Sequence, residues 1–195
     1  MRNTRALILG NGKNRLTTNF PSDVDVWACN LAFKEPIEID ILVATDAHRQ
    51  HEIYTSGYAK ENRCMFLDWV KIPAIEHMAE GLEKTGYKVT SNEFADTSMV
   101  ISGWESTMFV TYLDLPDKVA NIPMNDLPQR FSTGGLAMWV AAIYGYKQIY
   151  LAGFGDEKHA YREYKGGVDY PNTDYWTKER EFITGKFPDI EWSYI

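Results

Sequence analysis

Six short stretches of this sequence are apolar along nearly their whole length: "ALILG" (6–10), "DVDVWACN" (23–30), "IDILVAT" (39–45), "RCMFLDWV" (63–70), "KQIYLAGF" (147–154) and "IEWSYI" (190–195). A strand with one wet face alternates apolar and polar residues, whereas a strand covered on both faces has no need to. These runs therefore read as parallel strands buried between layers, with the last as an edge strand. Helix-like segments lie between them: "AHRQHEIYTSGYA", "AIEHMAEGLEKTG", "TGGLAMWVAAIYG" and "NTDYWTKEREFITGK". The last three stop at or near Gly86, Gly145 and Gly185, where a helix can end in a left-handed turn. Strands alternating with helices predict a doubly wound, mostly parallel α/β sheet that binds its ligand at the carboxyl ends of the strands. The expected organisation is one domain over residues 1–195, with a lid segment at about 155–172. Val89 to Pro128 holds short apolar runs broken by Asn, Asp and Pro, and yields no assignment.

Charge and composition exclude some functions. The formal net charge is -7, which argues against gripping nucleic acid by general phosphate neutralisation. Lys13 and Arg15 could make a small basic patch, but they read as two solvated loop residues. No apolar run reaches the roughly 20 residues of a membrane span, and Ala6 to Leu9 is too short for the core of a signal peptide. The two cysteines, Cys29 and Cys64, sit in apolar runs and read as buried thiols, which fits a cytoplasmic protein. Trp69, Trp104 and Met108 fit either a core or the interface of a homo-oligomer.

Several motifs carry chemistry. "LILGNGKN" runs a strand into Gly10-Asn11-Gly12, a turn that can present N–H groups to an anion. The dinucleotide fingerprint needs a third glycine near the place where Arg15 stands, so a phosphate-facing loop and a plain strand-exit turn both fit. Asn30 and Asp46 each lie just past a predicted strand, on the rim expected for Asn11. Turns favour Asn and Asp in any case, but three such residues on one rim would line a cleft. Ser132-Thr133-Gly134 leads into a helix whose first N–H groups lack partners within the helix. A hydroxyl cap satisfies them, and a bound anion would also do so. After the next strand, Gly153 and Asp156 open "GFGDEKHAYREYKGG", which lies where a lid would cover the rim. Asp23-Val24-Asp25 imitates a metal-binding Asp-X-Asp but precedes its strand, at the wrong end of the sheet. His48 and His51 share a helix face without an evident third ligand, so no metal is expected.

Taken together, "GNG", "DVDVWACN", "STGGLAMWVAAIYGYKQIYLAG" and "NTD" make the chain resemble the bacterial lipooligosaccharide sialyltransferases. These are inverting, metal-independent enzymes that use a CMP-activated sugar. The resemblance implies a Rossmann-like fold and a set of roles. Asn11 with Gly10 and Gly12 would meet the donor phosphate, Asn30 would face the nucleotide or sugar, and Thr133 and Gly134 would lie near the phosphate or ribose. Gly153 would let the base lie against the backbone, and Tyr161 would donate its hydroxyl to the leaving phosphate. The chain also departs from the family pattern. Leu31 replaces a glutamine and Asp46 replaces an asparagine, and Asp169 falls near the position of the general-base histidine. A carboxylate at Asp46 would repel that of sialic acid, so a different donor is expected.

The function expected is therefore an inverting, metal-independent glycosyltransferase with a nucleotide-sugar substrate and an unknown acceptor. The base is Asp169 by position, or His159 by its near-neutral unperturbed pKa. The alternative is a non-catalytic module that senses or sequesters a nucleotide. An NAD-dependent oxidoreductase fits less well, because the fingerprint is incomplete.

Overall fold

The computed structural model describes residues 3–12, 14–15, 18–69, 88–91, 98–103, 107–112, 116–155 and 174–195. The chain divides into two compact units, Met1–Val43 with Arg130–Ile195, and Ala44–Gln129.

The first unit is built on β1 (Arg5–Leu9), β2 (Asp25–Cys29), β3 (Ile41–Ala44), β9 (Gln148–Ala152) and β10 (Glu191–Tyr194). They lie side by side, all parallel, in the order β10-β9-β1-β2-β3. The chain winds outward from β1 to β3, then returns to the other side of β1 for β9 and β10. That reversal makes the fold doubly wound, and it brings the carboxyl ends of β1 and β9 together. The last four residues of β1 are buried. β10 pairs with β9 alone among the described strands, as expected of an edge.

Helix α3 (Thr133–Tyr144) packs on β1 and β2. Ser132 caps its start by accepting from Gly135 N at 3.1 Å, and Gly145 ends it at φ +89°. Trp27 of β2 is fully buried, with Tyr144 and Tyr146 edge-on to its ring. Helix α4 (Asp174–Lys186) lies against α3 through a cluster of Phe131, Trp139, Phe182 and Phe187. It runs one residue past Gly185 before Pro188 stops it.

The second unit holds α1 (Ala47–Thr55) and α2 (Tyr58–Glu61). The sequence pattern expects one helix here. Gly57 at φ +85° breaks it, since a residue in the left-handed region cannot continue a right-handed helix. β4 (Cys64–Leu67) pairs in parallel with β8 (Val119–Ile122). β5 (Lys88–Ser91), β6 (Ser98–Gly103) and β7 (Thr107–Tyr112) form an antiparallel sheet. Strands β5 to β8 fall in or beside the span that the sequence left unassigned. Buried Gln50 donates to both Ala44 O and Leu67 O, which ties the start of this unit to the end of β4. Trp69 is buried against Phe66 and Tyr54 and so serves a core. Cys29 and Cys64 are both buried, and burial pushes the Cys64 thiol up to about 12. Among the described residues no helix is long and apolar enough to cross a membrane. Lys13, Trp104 and the segment 74–86 lie outside the described residues, as does most of the lid segment, including Asp156, His159, Tyr161 and Asp169.

Candidate functional site

The reversal beside β1 joins two backbones with no room between them. Gly10 N donates to Ala152 O at 2.7 Å, and Gly12 N donates to Gly153 O at 2.9 Å. A Cβ on Gly10 would fall 2.5 Å from Gly153 O, and one on Gly12 would fall 2.7 Å from it. Gly153 has φ +78°, a conformation that L side chains rarely adopt. All three glycines are thus explained by this seam. The sequence reading has Gly10 and Gly12 offering their N–H groups to a phosphate, but both groups are already engaged across the seam. Asn11, between them, is the polar group of the loop that remains. Its Oδ1 is buried and accepts no hydrogen bond from the described residues.

Asn30 follows β2 in the left-handed region, at φ +54°, and is 3% exposed. Asparagine tolerates this conformation better than other non-glycine residues do. Thr133 Oγ1, also buried, donates to Asn30 Oδ1 at 3.3 Å. One side chain therefore links the carboxyl end of β2 to the first turn of α3. Gly134 stands under the Phe154 ring, where a Cβ would lie 2.9 Å from a ring carbon, and the same ring borders Gly10. The structure thus brings Gly10, Asn11, Gly12, Asn30, Thr133, Gly134 and Gly153 into one patch at the carboxyl ends of β1, β2 and β9. Asp46 stands two residues past β3 and is exposed.

Ser132 is differently engaged from its neighbours. Its N–H donates to Glu179 Oε1 at 2.6 Å, and its hydroxyl donates to Oε2 at 2.5 Å. Glu179 of α4 thus covers the start of α3 from inside the protein. Gly135 makes room for it, since a Cβ there would lie 2.3 Å from the carboxylate. Burial pushes the Glu179 carboxyl above its ordinary value, against the pull of its bonds from Ser132. Burial and the neighbouring Glu179 raise the Tyr175 phenol, whose hydroxyl donates to Arg130 O at 2.5 Å.

Arg15 corrects the sequence reading outright. It is not solvated but 3% exposed. Its Nη1 donates to Gly10 O at 2.8 Å, and its Nη2 is paired with the Glu35 carboxylate. The only sequence signal was its place where a third glycine was missing. Glu179 gave no signal, because "TKEREF" reads as a solvated helix face. Asp25, the nearer half of the Asp-X-Asp pattern, opens β2 at the amino end of the sheet and accepts from Tyr146 and Asn3. Beside the patch lies an open cleft of about 370 Å³, lined by Phe154, Gly155 and Tyr194 and by Thr177, Arg180, Glu181 and Thr184 of α4.

A parallel α/β sheet whose winding reverses at a glycine-packed seam defines a broad class of fold. No family model matches the chain, and no curated protein matches its sequence. A solved structure shares the fold: the apo form of an alpha-2,3-sialyltransferase from Campylobacter jejuni. The likeness has a TM-score of 0.50 at 13% identity, over 98% of this chain and 74% of that one. The likeness is one of fold.

Proposed function

We propose that this protein binds a nucleotide-sugar of the CMP type at the seam patch and transfers the sugar to an acceptor, with inversion and without a metal. The observation that carries this reading is Asn11 at the point of reversal, with its buried Oδ1 unanswered by the described residues and with Asn30 and Thr133 beside it. A buried acceptor without a donor costs about 1–3 kcal/mol, which a ligand hydroxyl would recover. The Asn11 amide nitrogen is also suited to a phosphate oxygen. The cleft that begins at Phe154 offers room for the rest of the nucleotide, at the lower end of the volumes that hold small ligands. The fold likeness supports the same reading.

The chemistry follows from the residues assigned by sequence. Asp169 or His159 takes the proton of the acceptor hydroxyl. That oxygen attacks the anomeric carbon from the face opposite the phosphate. The bond from that carbon to the phosphate oxygen breaks, and the electron pair leaves with the phosphate. Tyr161 donates to the oxygen on which charge grows, a form of stabilisation that acts where a metal otherwise would. Asp46 and Leu31 favour a donor other than sialic acid. The two buried thiols fit a reducing compartment.

A second reading, binding without transfer, rests on Leu31 and Asp169, which replace the glutamine and histidine of the pattern the sequence resembles. A thermal-shift panel of cytidine, uridine, adenosine and guanosine nucleotides, free and sugar-linked, separates the two. A ligand at 100 times its Kd adds about 2.7 kcal/mol of stability. The expected responder is a cytidine nucleotide, and no shift with any nucleotide would defeat both readings. Slow release of free nucleotide, abolished by Asp169→Ala or His159→Ala, supports transfer. A donor left intact after long incubation supports the binding module.

A further inference from the structure

Arg15 touches both segments that carry the two asparagines of the patch. Its guanidinium donates to Gly10 O, the residue before Asn11, and is paired with Glu35. Glu35 is the residue that ends the 3-10 turn Asn30–Lys34, the turn that Asn30 opens. Gly10 is held from the other side as well, by its N–H bond to Ala152 O. The β1 loop is therefore clamped between the end of β9 and a buried cation, and the same cation reaches the turn after β2. A planar guanidinium can hold two acceptors at fixed angles, which an ammonium cannot match. The Arg15 side chain is 1% exposed and that of Glu35 is 20% exposed, so the pair is shielded from competing water.

We propose that Arg15, with Glu35, is a positioning residue that sets the Asn11 loop and the Asn30 turn at the spacing a nucleotide requires. It replaces the third glycine of the dinucleotide fingerprint with a different device. Where that glycine lets a helix approach the loop, here a bridge fixes the loop to its neighbour. The proposal rests on the nucleotide-binding reading for its ligand but not for its geometry.

The test uses the full chain and four variants: Arg15→Lys, Glu35→Gln, Asn11→Ala and the double variant that combines Arg15→Lys with Asn11→Ala. Two readouts are taken well below each melting temperature. The first is affinity for cytidine 5′-monophosphate by calorimetry, with the uridine, adenosine and guanosine monophosphates in parallel. The second is the side-chain amide NMR signals of Asn11 and Asn30 in the free protein. The expected result for Arg15→Lys is about tenfold weaker binding, with both asparagine signals displaced and those of buried Gln50 unmoved. Glu35→Gln gives a smaller loss in the same direction, and it serves if Arg15→Lys fails to fold. In the Asn11→Ala background the Arg15→Lys loss shrinks but does not vanish, because part of it acts through Asn11 and part through Asn30.

A purely structural role would lower the melting temperature while leaving affinity and both asparagine signals in place, and that result overturns the proposal. If the unmutated protein binds no nucleotide, the nucleotide reading fails. The NMR signals then decide the bridge alone: displacement upholds it, and unmoved signals reject it.

Discussion

At the residue scale, Glu179 shows how burial turns an ordinary helix acid into a pH-sensitive structural group. Its carboxylate accepts from the N–H and hydroxyl of Ser132. Burial nevertheless wins and raises its pKa, and Arg180 is the cation acting on it among the described residues. Tyr175 is the other titratable group facing it there. A group whose folded pKa lies above its unfolded value contributes stability at pH below the unfolded pKa. That contribution is lost as pH rises through the folded pKa. The native protein therefore loses this contribution as pH climbs from the ordinary glutamate range. Glu179→Gln keeps the shape of the protonated form and lacks the loss. Its stability relative to the native protein should rise as pH climbs from the ordinary glutamate range through the raised folded pKa, and then level off. Urea unfolding midpoints at a series of pH values measure this, and a difference that does not vary with pH would contradict it.

At the element scale, two glycines end elements for different reasons. Gly145 closes α3 at φ +89°, and a Cβ placed there would meet open space. Gly10 follows β1, and a Cβ there would strike backbone 2.5 Å away. Gly145→Ala thus meets only the left-handed penalty, about 1 kcal/mol. Gly10→Ala must part β1 from β9 and should cost about 3 kcal/mol, at the upper end for overpacking. For a chain of this length, thermal unfolding would place the first variant about 2–4 °C below the native protein and the second about three times as far. Equal losses would mean that the seam yields easily. The Gly145 cap was legible in the sequence, because an apolar helical run followed by glycine is a local pattern. The seam was not, because its partners are 143 residues apart on the chain, at Gly10 and Gly153. The unassigned span gave β5 to β8 for a related reason. Those strands are built on pairing with other strands, and no single one carries a strong pattern of its own.

At the scale of the molecule, the residues of the patch all belong to the first of the two compact units. Nucleotide binding should therefore slow backbone amide exchange mainly in peptides covering residues 10–12, 30–34, 131–135 and 152–155. Mass spectrometry of exchange with and without the responding nucleotide tests this. Slowing confined to β4, β8 and the antiparallel sheet would place the ligand elsewhere. Most of the rim was legible from sequence: Asn11 and Asn30 stand one or two residues past the end of a readable strand, and Thr133 opens a readable helix. What they bond to was not legible, since Asn30 and Thr133 meet across 103 residues of chain.

The sequence by itself determined where strands and helices start and stop in the first unit, because those choices depend on apolar runs, caps and glycines within a few neighbours. The tertiary structure alone decided that Arg15 is buried, that the glycine N–H groups serve the seam, and that Glu179 covers the start of α3. Each of these is settled by which distant backbone arrives beside a side chain. Local pattern carries no record of that arrival, because the same residue is stable in water until a partner displaces the water.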